Sequence, residues 1–350
     1  MHRSLNHKAM KKGKVILVIM IVLAAIIGVF LYGGYQTFSK EIAAMQSVQE
    51  VREGVFTLHY KGDYGFKGFL EQGGAKTDAQ MATYIASSLS HGYYKPALTT
   101  PEGGCTTVNG SNFFARNFDW DQVGNYIILH TEPDDGYASI ATSNLSFLGF
   151  GTDWKPSSMQ EKFMAMASIY VPLDGMNEKG VCVADLVEID GDIDVPDTDK
   201  PDLTIVGAIR LVLDYAANVD EAIQLLSQYD VFPSVSRMHH LSLSDASGHS
   251  VVVEWKGGEL MATPTQVVTN HCLSAVSNNE SIAESIRRFN MLTTEHLPIT
   301  GVQQAQQAIQ TASYPGETLW TVIYDQQALT ATHYFGCQWE QPLTNNLSAK

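Results

Sequence analysis

The stretch Gly103-Gly104-Cys105-Thr106-Thr107-Val108-Asn109-Gly110-Ser111-Asn112-Phe113-Phe114-Ala115-Arg116-Asn117-Phe118-Asp119-Trp120 decides how the chain is read. Two short β-prone runs, Cys105–Val108 and Phe113–Asn117, flank Asn109-Gly110, the strongest local signal for a hairpin. In a tight antiparallel hairpin the end of the second strand returns beside the start of the first. Arg116 and Asp119 are therefore predicted within reach of Cys105. A thiol beside a cation and a carboxylate has the parts of an activated nucleophile. A cysteine can equally be a small buried apolar residue, with Arg and Asp as solvated charges at a hairpin. Spacing alone leaves both readings open.

Downstream, Tyr126–His130, Tyr137–Thr142 and Ala167–Val171 read as strands. Asn177-Glu178-Lys179-Gly180 is a turn leading into the strand Val181–Val187. Helices are predicted at Asp202–Ala217 and at Val219–Tyr229, with Asp220 near the start of the second. Strands His240–Ser244, Val251–Trp255 and Glu259–Thr263 follow, hairpin-spaced around Ser247-Gly248 and Gly257-Gly258. Ser281–Thr293 and Val302–Ala312 have helical periodicity, and strands Leu319–Asp325 and Thr330–Phe335 close the chain. Segregated runs of strands and helices predict an α+β layered fold and not a βαβ alternation.

Upstream, Glu41–Glu53 is predicted helical, Val55–Tyr60 a strand, and Thr77-Asp78 the start of a helix running through Met81–Leu89. At the N-terminus a basic head (His2, Arg3, Lys8, Lys11, Lys12, Lys14) precedes the uncharged apolar run Val15–Tyr32. At about 1.5 Å per residue that run reaches roughly 27 Å, enough with Gly33–Tyr35 to cross a hydrocarbon core. The charge asymmetry puts the head inside and the rest outside. A cleaved signal peptide would have a shorter apolar region and a cleaner small-residue site. The expected organisation is a cytoplasmic head at 1–14, a transmembrane signal anchor at 15–35, a propeptide-like segment at 36–104 and the main domain at 105–350.

The 350 residues carry a formal net charge of -15, with 45% hydrophobic and 17% charged residues. This is globular composition, and its acidity argues against nucleic acid as a partner. The four cysteines, Cys105, Cys182, Cys272 and Cys337, are too widely spaced for a small disulfide framework or a Cys-x-x-Cys metal pair. Asp190, Asp192 and Asp194 hint at a calcium loop, but Val195 and Pro201 stand where Gly and Glu are required. His239-His240 has no third ligand at useful spacing. No metal or cofactor is predicted.

Cys105-Thr106, the hairpin, and Arg116-Asn117-Phe118-Asp119 resemble the start of the choloylglycine hydrolase and penicillin V acylase family. The Gly104-Cys105-Thr106 string preceded by a long segment, with Phe118-Asp119-Trp120, is similar to isopenicillin N acyltransferase and to the acid ceramidase and N-acylethanolamine amidase group. Further stretches agree in order. They are Gly175-Met176-Asn177-Glu178-Lys179-Gly180 with Val183-Ala184-Asp185-Leu186, Asn218-Val219-Asp220-Glu221-Ala222, and Val268-Thr269-Asn270. Ser285-Ile286-Arg287-Arg288-Phe289 and Leu319-Trp320-Thr321-Val322-Ile323-Tyr324-Asp325 complete the series.

The resemblance implies a four-layer αββα N-terminal-nucleophile hydrolase sandwich. It implies that Cys105 becomes the first residue of the mature chain by self-cleavage at Gly104–Cys105, and that its own α-amino group serves as general base. An α-amino group titrates near pH 7.7–8.0 and a free thiol near 8.5, so the amine can take the thiol's proton about neutrality. Carried over position by position, Asp119 would hold the α-amino group and Arg116 would favour the thiolate. Asn270 would supply a side-chain amide to the oxyanion hole, and Arg288 would support the charges around Asp119. In the bile-salt enzymes a backbone N–H completes the oxyanion hole from an Asn; Val187 stands there in this chain, and a backbone donor survives that change. The implied activity is hydrolysis of a linear amide in an N-acylated small molecule of bile-salt, penicillin or fatty-acid amide type, on the extracellular side of the cell membrane. Acyl transfer through the same thioester, or a non-catalytic surface binding protein retaining the fold, are the alternatives. Nothing in the sequence speaks against a homo-oligomer.

Overall fold

The computed structural model describes residues 38–89, 92, 94–98, 104–121, 124–190, 198–234, 237–274 and 280–347. The expected anchor at 15–35 lies outside the described residues, and so does most of the 190–194 acidic loop. Among the described residues no helix is long and apolar enough to cross a membrane. The chain divides into two compact units, Met1–Ala43 and Ala44–Lys350. Helix α1 spans Ser39–Ser47.

Two sheets stack face to face. The larger has nine described strands: β1 (Gln49–Arg52), β2 (Val55–Lys61), β5 (Tyr126–Glu132), β6 (Ser139–Asn144), β7 (Asp174–Asn177), β8 (Cys182–Val187), β11 (His239–Ser244), β12 (Ser250–Lys256) and β13 (Glu259–Pro264), in that spatial order. The smaller has six, ordered β14 (Val267–Val268), β3 (Cys105–Asn109), β4 (Phe113–Asp119), β15 (Thr318–Asp325), β16 (Thr330–Phe335) and β17 (Leu343–Asn346). β2 runs parallel to β5, while the other neighbours in both sheets are antiparallel.

Period-2 alternation in the strands gives each sheet an inner and an outer face. Phe114, Phe118, Trp320, Val322 and Tyr324 of the small sheet meet Ile128, Met176, Ala184 and Leu186 of the large one in a central core. Outside the large sheet pack α2 (Phe66–Glu71), α3 (Asp78–Ser88), α5 (Ile205–Tyr215) and α6 (Val219–Leu226). Outside the small sheet pack α7 (Ala283–Glu295) and α8 (Val302–Thr311). The layers are therefore helix, sheet, sheet, helix, as an α+β reading requires. Each helix obeys its local signal: α7 buries Ser285, Arg288 and Leu292 on one stripe, and Thr77 and Asn218 cap α3 and α6 by accepting backbone N–H bonds from Gln80 and Glu221.

Three expectations are corrected. The helix expected at Glu41–Glu53 stops at Ser47, because Gly54 (φ 72°) turns the chain and lets β1 pair with β2. The strand expected at Ala167–Val171 is a 3₁₀ turn over Met166–Tyr170, which continues directly from α4 (Met159–Ala165) and is held by Ser168 Oγ on the Ala165 carbonyl at 2.6 Å. The helix expected from Asp202 begins at Ile205, since Asp202–Thr204 (β9) pairs in parallel with Asp230–Phe232 (β10). Residues upstream of Cys105 contribute β1 and β2 to the large sheet and α2 and α3 to its outer layer.

Candidate active site

The β3–β4 hairpin forms where the sequence predicts, with a three-residue loop. Asn109 stays in the strand and Gly110-Ser111-Asn112 make the loop, closed by the Gly110 N–H on the Phe113 carbonyl at 2.7 Å. Only glycine fits at 110, because a Cβ there would lie 2.5 Å from the Ile299 carbonyl oxygen. In this register Cys105 faces Phe118 and Thr107 faces Arg116, so Arg116 projects between the sheets beside the start of β3.

Cys105 is buried, and its groups are held from three sides. Its N–H donates to Asn270 Oδ1 at 2.9 Å. Its carbonyl accepts from Arg288 Nη1 at 2.9 Å, and the same guanidinium donates to Thr106 Oγ1 and, through Nη2, to Asn270 Oδ1 at 2.9 Å. Its thiol lies 3.8 Å from Arg116 Nη2. The preceding carbonyl, Gly104 O, accepts the backbone N–H of Asp119 at 3.0 Å. Arg288 reaches in from α7 one turn after Ser285, whose Oγ accepts the Asn270 N–H at 2.7 Å. One helical face thus fixes both ends of Asn270.

The structure brings all five sequence-predicted side chains together. Two of the predicted positions, Asn270 and Val187, are bonded to each other. The Asn270 carboxamide turns its oxygen to two donors and gives its nitrogen to the Val187 carbonyl at 2.9 Å, a partner set that settles which atom is which. Val187, expected as a backbone donor, meets the site through its carbonyl. Asp119 accepts from Thr318 Oγ1 at 2.6 Å through Oδ1, while its Oδ2 has no hydrogen-bond partner among the described residues and lies 3.9 Å from Arg288 Nη1. Burial pushes the Asp119 carboxyl up to about 7, against the pull of Thr318 and Arg288.

Sequence reasoning missed what surrounds Arg116. Its Nη1 binds Asp174 at 2.5 Å and the Leu173 carbonyl at 2.7 Å, and its Nη2 binds the Asp185 carbonyl at 2.8 Å and Oδ1 at 3.1 Å. Asp174 is also held by Trp320 Nε1 and Tyr324 OH, and Asp185 Oδ2 meets His239 Nδ1 at 3.1 Å. The guanidinium lies over the rings of Phe118 and Trp320, 5.0 and 5.9 Å from their centroids. Two buried carboxylates spend most of its charge. Burial therefore dominates the thiol, and Cys105 is pushed up to about 11 although Arg116 pulls the other way. The signal available in sequence was a carboxylate inside each of two apolar strands, Asp174 and Asp185, where a charge needs a partner.

A second buried polar group stands behind Asn270. Among the described residues, Glu188, His240 and Glu254 are the one set whose ligand-type atoms come together as a metal site requires. Both His240 nitrogens are engaged, with Glu254 Oε1 at 3.3 Å and the Thr269 carbonyl at 2.7 Å, and Glu254 also accepts the N–H groups of Leu273 and Ser274. Lys256 Nζ supplies a cation 3.2 Å from Glu188 Oε2. The set is neutralised from within, which does not fit a resident metal.

Residues 104–273 match the family model described as linear amide C-N hydrolases, choloylglycine hydrolase family. Penicillin V acylase of Pectobacterium atrosepticum is 34% identical over 110 residues, or 28% of this chain and 29% of that protein. The match thus spans under a third of the length of the curated relative. The structure is similar to that of penicillin V acylase from Agrobacterium tumefaciens (20% identity, TM-score 0.46, covering 69% of this chain and 84% of that one). It is also similar to conjugated bile acid hydrolase from Clostridium perfringens (14% identity, TM-score 0.46, covering 70% and 95%). The family resemblance carried by the motifs is borne out by the family and sequence matches.

Proposed function

We propose that this chain hydrolyses a linear amide C–N bond with Cys105 as an N-terminal nucleophile, released by cutting its own chain at Gly104–Cys105. The observation that carries this reading is the hold on both halves of one residue. Asn270 Oδ1 grips the Cys105 nitrogen at 2.9 Å, and Arg116 stands 3.8 Å from the Cys105 thiol. A nucleophile and its own amine fixed together need little further orientation.

Self-cleavage begins with attack of Sγ on the Gly104 carbonyl carbon. The Asp119 N–H already donates to that carbonyl oxygen and stabilises the charge that develops on it. The C–N bond breaks, the Cys105 nitrogen leaves as an amine carrying the thiol proton, and a thioester forms. Water then opens it to a Gly104 carboxylate and a free Cys105 thiol. The Asp119 carboxyl, raised by burial to about 7, would exchange a proton near neutrality.

In the second phase the α-amine, oriented by Asn270 Oδ1, takes the thiol proton as Sγ attacks the substrate amide. It then gives the proton to the leaving amine, and water hydrolyses the thioester. The substrate class is an N-acylated small molecule of bile-salt, penicillin or fatty-acid amide type. The apolar run at 15–35 would tether the enzyme outside the cell membrane. Because β2 has seven residue pairs with β5, the upstream segment would remain bound after the cut.

The test is mass spectrometry of purified protein together with a screen of N-acyl substrates. A new N-terminus at Cys105 and amide hydrolysis are expected, both lost in Cys105→Ala. An intact chain with full activity would overturn the reading.

A further inference from the structure

Behind Asn270, three side chains that the proposed mechanism leaves unused converge from three segments. Lys256 ends β12, Cys272 lies two residues beyond Asn270, and Glu188 follows β8. Lys256 Nζ is 3.0 Å from Cys272 Sγ and 3.2 Å from Glu188 Oε2, and Sγ is 2.9 Å from the same carboxylate oxygen. Glu188 is fully buried in its side chain, and its Oε1 has no hydrogen-bond partner among the described residues. The Lys256 side chain is 28% exposed, so the trio opens to solvent along the lysine.

An amine, a thiol and a carboxylate at mutual contact distance are the parts of a condensation that needs only an oxidant. A sulfenic acid formed beside a nitrogen nucleophile closes to a sulfenamide. We propose that Lys256 and Cys272 are an oxidation site that closes to a covalent S–N cross-link under a hydroperoxide. The reaction balances in two steps. Hydrogen peroxide converts Cys272 Sγ–H to Sγ–OH and releases one water. The Lys256 ammonium gives one proton to Glu188, and the neutral amine attacks Sγ. The S–O bond then breaks, and hydroxide leaves with the second amine proton as another water. Cys272 loses one hydrogen, Lys256 loses two, Glu188 gains one, and the peroxide oxygens end in two waters.

Proximity and not thiol acidity drives this chemistry. Burial pushes the Cys272 thiol up, as does its bond to Glu188, with Lys256 opposing them. A thiol held protonated reacts slowly with peroxide. The amine waiting at 3.0 Å then captures the sulfenic acid ahead of further oxidation. The cross-link would tie β12 to the segment that carries Asn270, which Glu254 and His240 already clamp through Leu273, Ser274 and Thr269. This inference does not depend on the amidase reading.

The experiment is peptide mapping of the full-length protein after hydrogen peroxide, alkylation and trypsin. The expected product is the single peptide 238–287, uncut after Lys256, carrying no alkyl group on Cys272 and two hydrogens lighter than the same uncut peptide with a free thiol. It should disappear with dithiothreitol and in both Lys256→Arg and Cys272→Ser. Lys256→Arg keeps the cation, so it tests the amine and not the fold, and its Cys272 should advance to sulfinic acid. Overturning outcomes are a Cys272 that alkylates freely, sulfinic acid equally abundant in wild type and Lys256→Arg, or a bridged product one oxygen heavier.

Discussion

Cys105 and Cys272 are both buried thiols with one basic side chain and carboxylates in reach, and all four cysteines of the chain are unpaired. Around Cys105 the cation is Arg116, fully buried and paired with Asp174 and Asp185, 3.8 Å from sulfur. Around Cys272 it is Lys256, partly exposed, 3.0 Å from sulfur, and sharing one carboxylate with it. Arginine cannot give up its proton, so it can only orient and polarise; lysine can give one up and become a nucleophile. The Cys105 nitrogen and the adjoining Gly104 carbonyl are both hydrogen-bonded by site residues, whereas at Cys272 it is a neighbouring amine that faces the sulfur. The same parts therefore suit one thiol to attack a carbonyl and the other to be trapped by an amine.

Substitution of the two thiols gives the widest expected contrast. Cys105→Ala should abolish the cut at Gly104 and lower amide hydrolysis by at least about a thousandfold, whereas Cys272→Ser leaves both. N-terminal sequencing and single-turnover assays read this directly, and equal losses in the two variants would erase the distinction. Next in size is Arg116→Met, which strands Asp174 and Asp185 in the core. Breaking a buried pair costs about 3–5 kcal/mol, measurable by urea unfolding. Lys256→Met, at a partly exposed site, should cost far less. Asn270→Ala should reduce kcat on cleaved protein by about 10²-fold through loss of the grip on the amine. A change in KM alone would move Asn270 out of the chemistry.

The carboxylates of the two regions titrate in opposite senses. Asp119 is raised by burial from 3.8 to about 7, so the folded state holds its proton more tightly. Ionising it takes stability away as pH rises from about 4 to about 7. Burial would raise Glu254 too, but its bonds to His240, Ser274 and Leu273 hold it at about 2 against an ordinary 4.5. Its contribution is present above about pH 4.5 and is lost as pH falls toward about 2. Thermal midpoints against pH should flatten in the upper window for Asp119→Asn and in the lower one for Glu254→Gln. Swapped windows would refute the assignment. The smallest effect expected is on stability in Cys272→Ser, about 1 kcal/mol or less, because serine keeps a donor for Glu188.

Much of the Cys105 region was legible from sequence because it is local or carried by ordered motifs. Asn109-Gly110 predicts the hairpin, and the hairpin predicts Arg116 beside Cys105. Asn270 and Arg288 came from the family resemblance, and both land on Cys105. The Cys272 region was not legible. Glu188, Lys256 and Cys272 are each unremarkable in their own segments, and His240 was set aside for want of a third ligand.

The sequence by itself determined which residues alternate inward, where the helices cap, and that a thiol, an arginine and a carboxylate meet at one hairpin. Those properties follow from periodicity and turn chemistry, which act over a few residues. Only the tertiary structure decided that Asp174 and Asp185 neutralise Arg116, that Asn270 turns its oxygen to Cys105, and that Lys256 touches Cys272. Each of these contacts crosses between strands or sheets whose neighbours are set by topology, with β8 beside β11 and β11 beside β12, and no local pattern encodes that order.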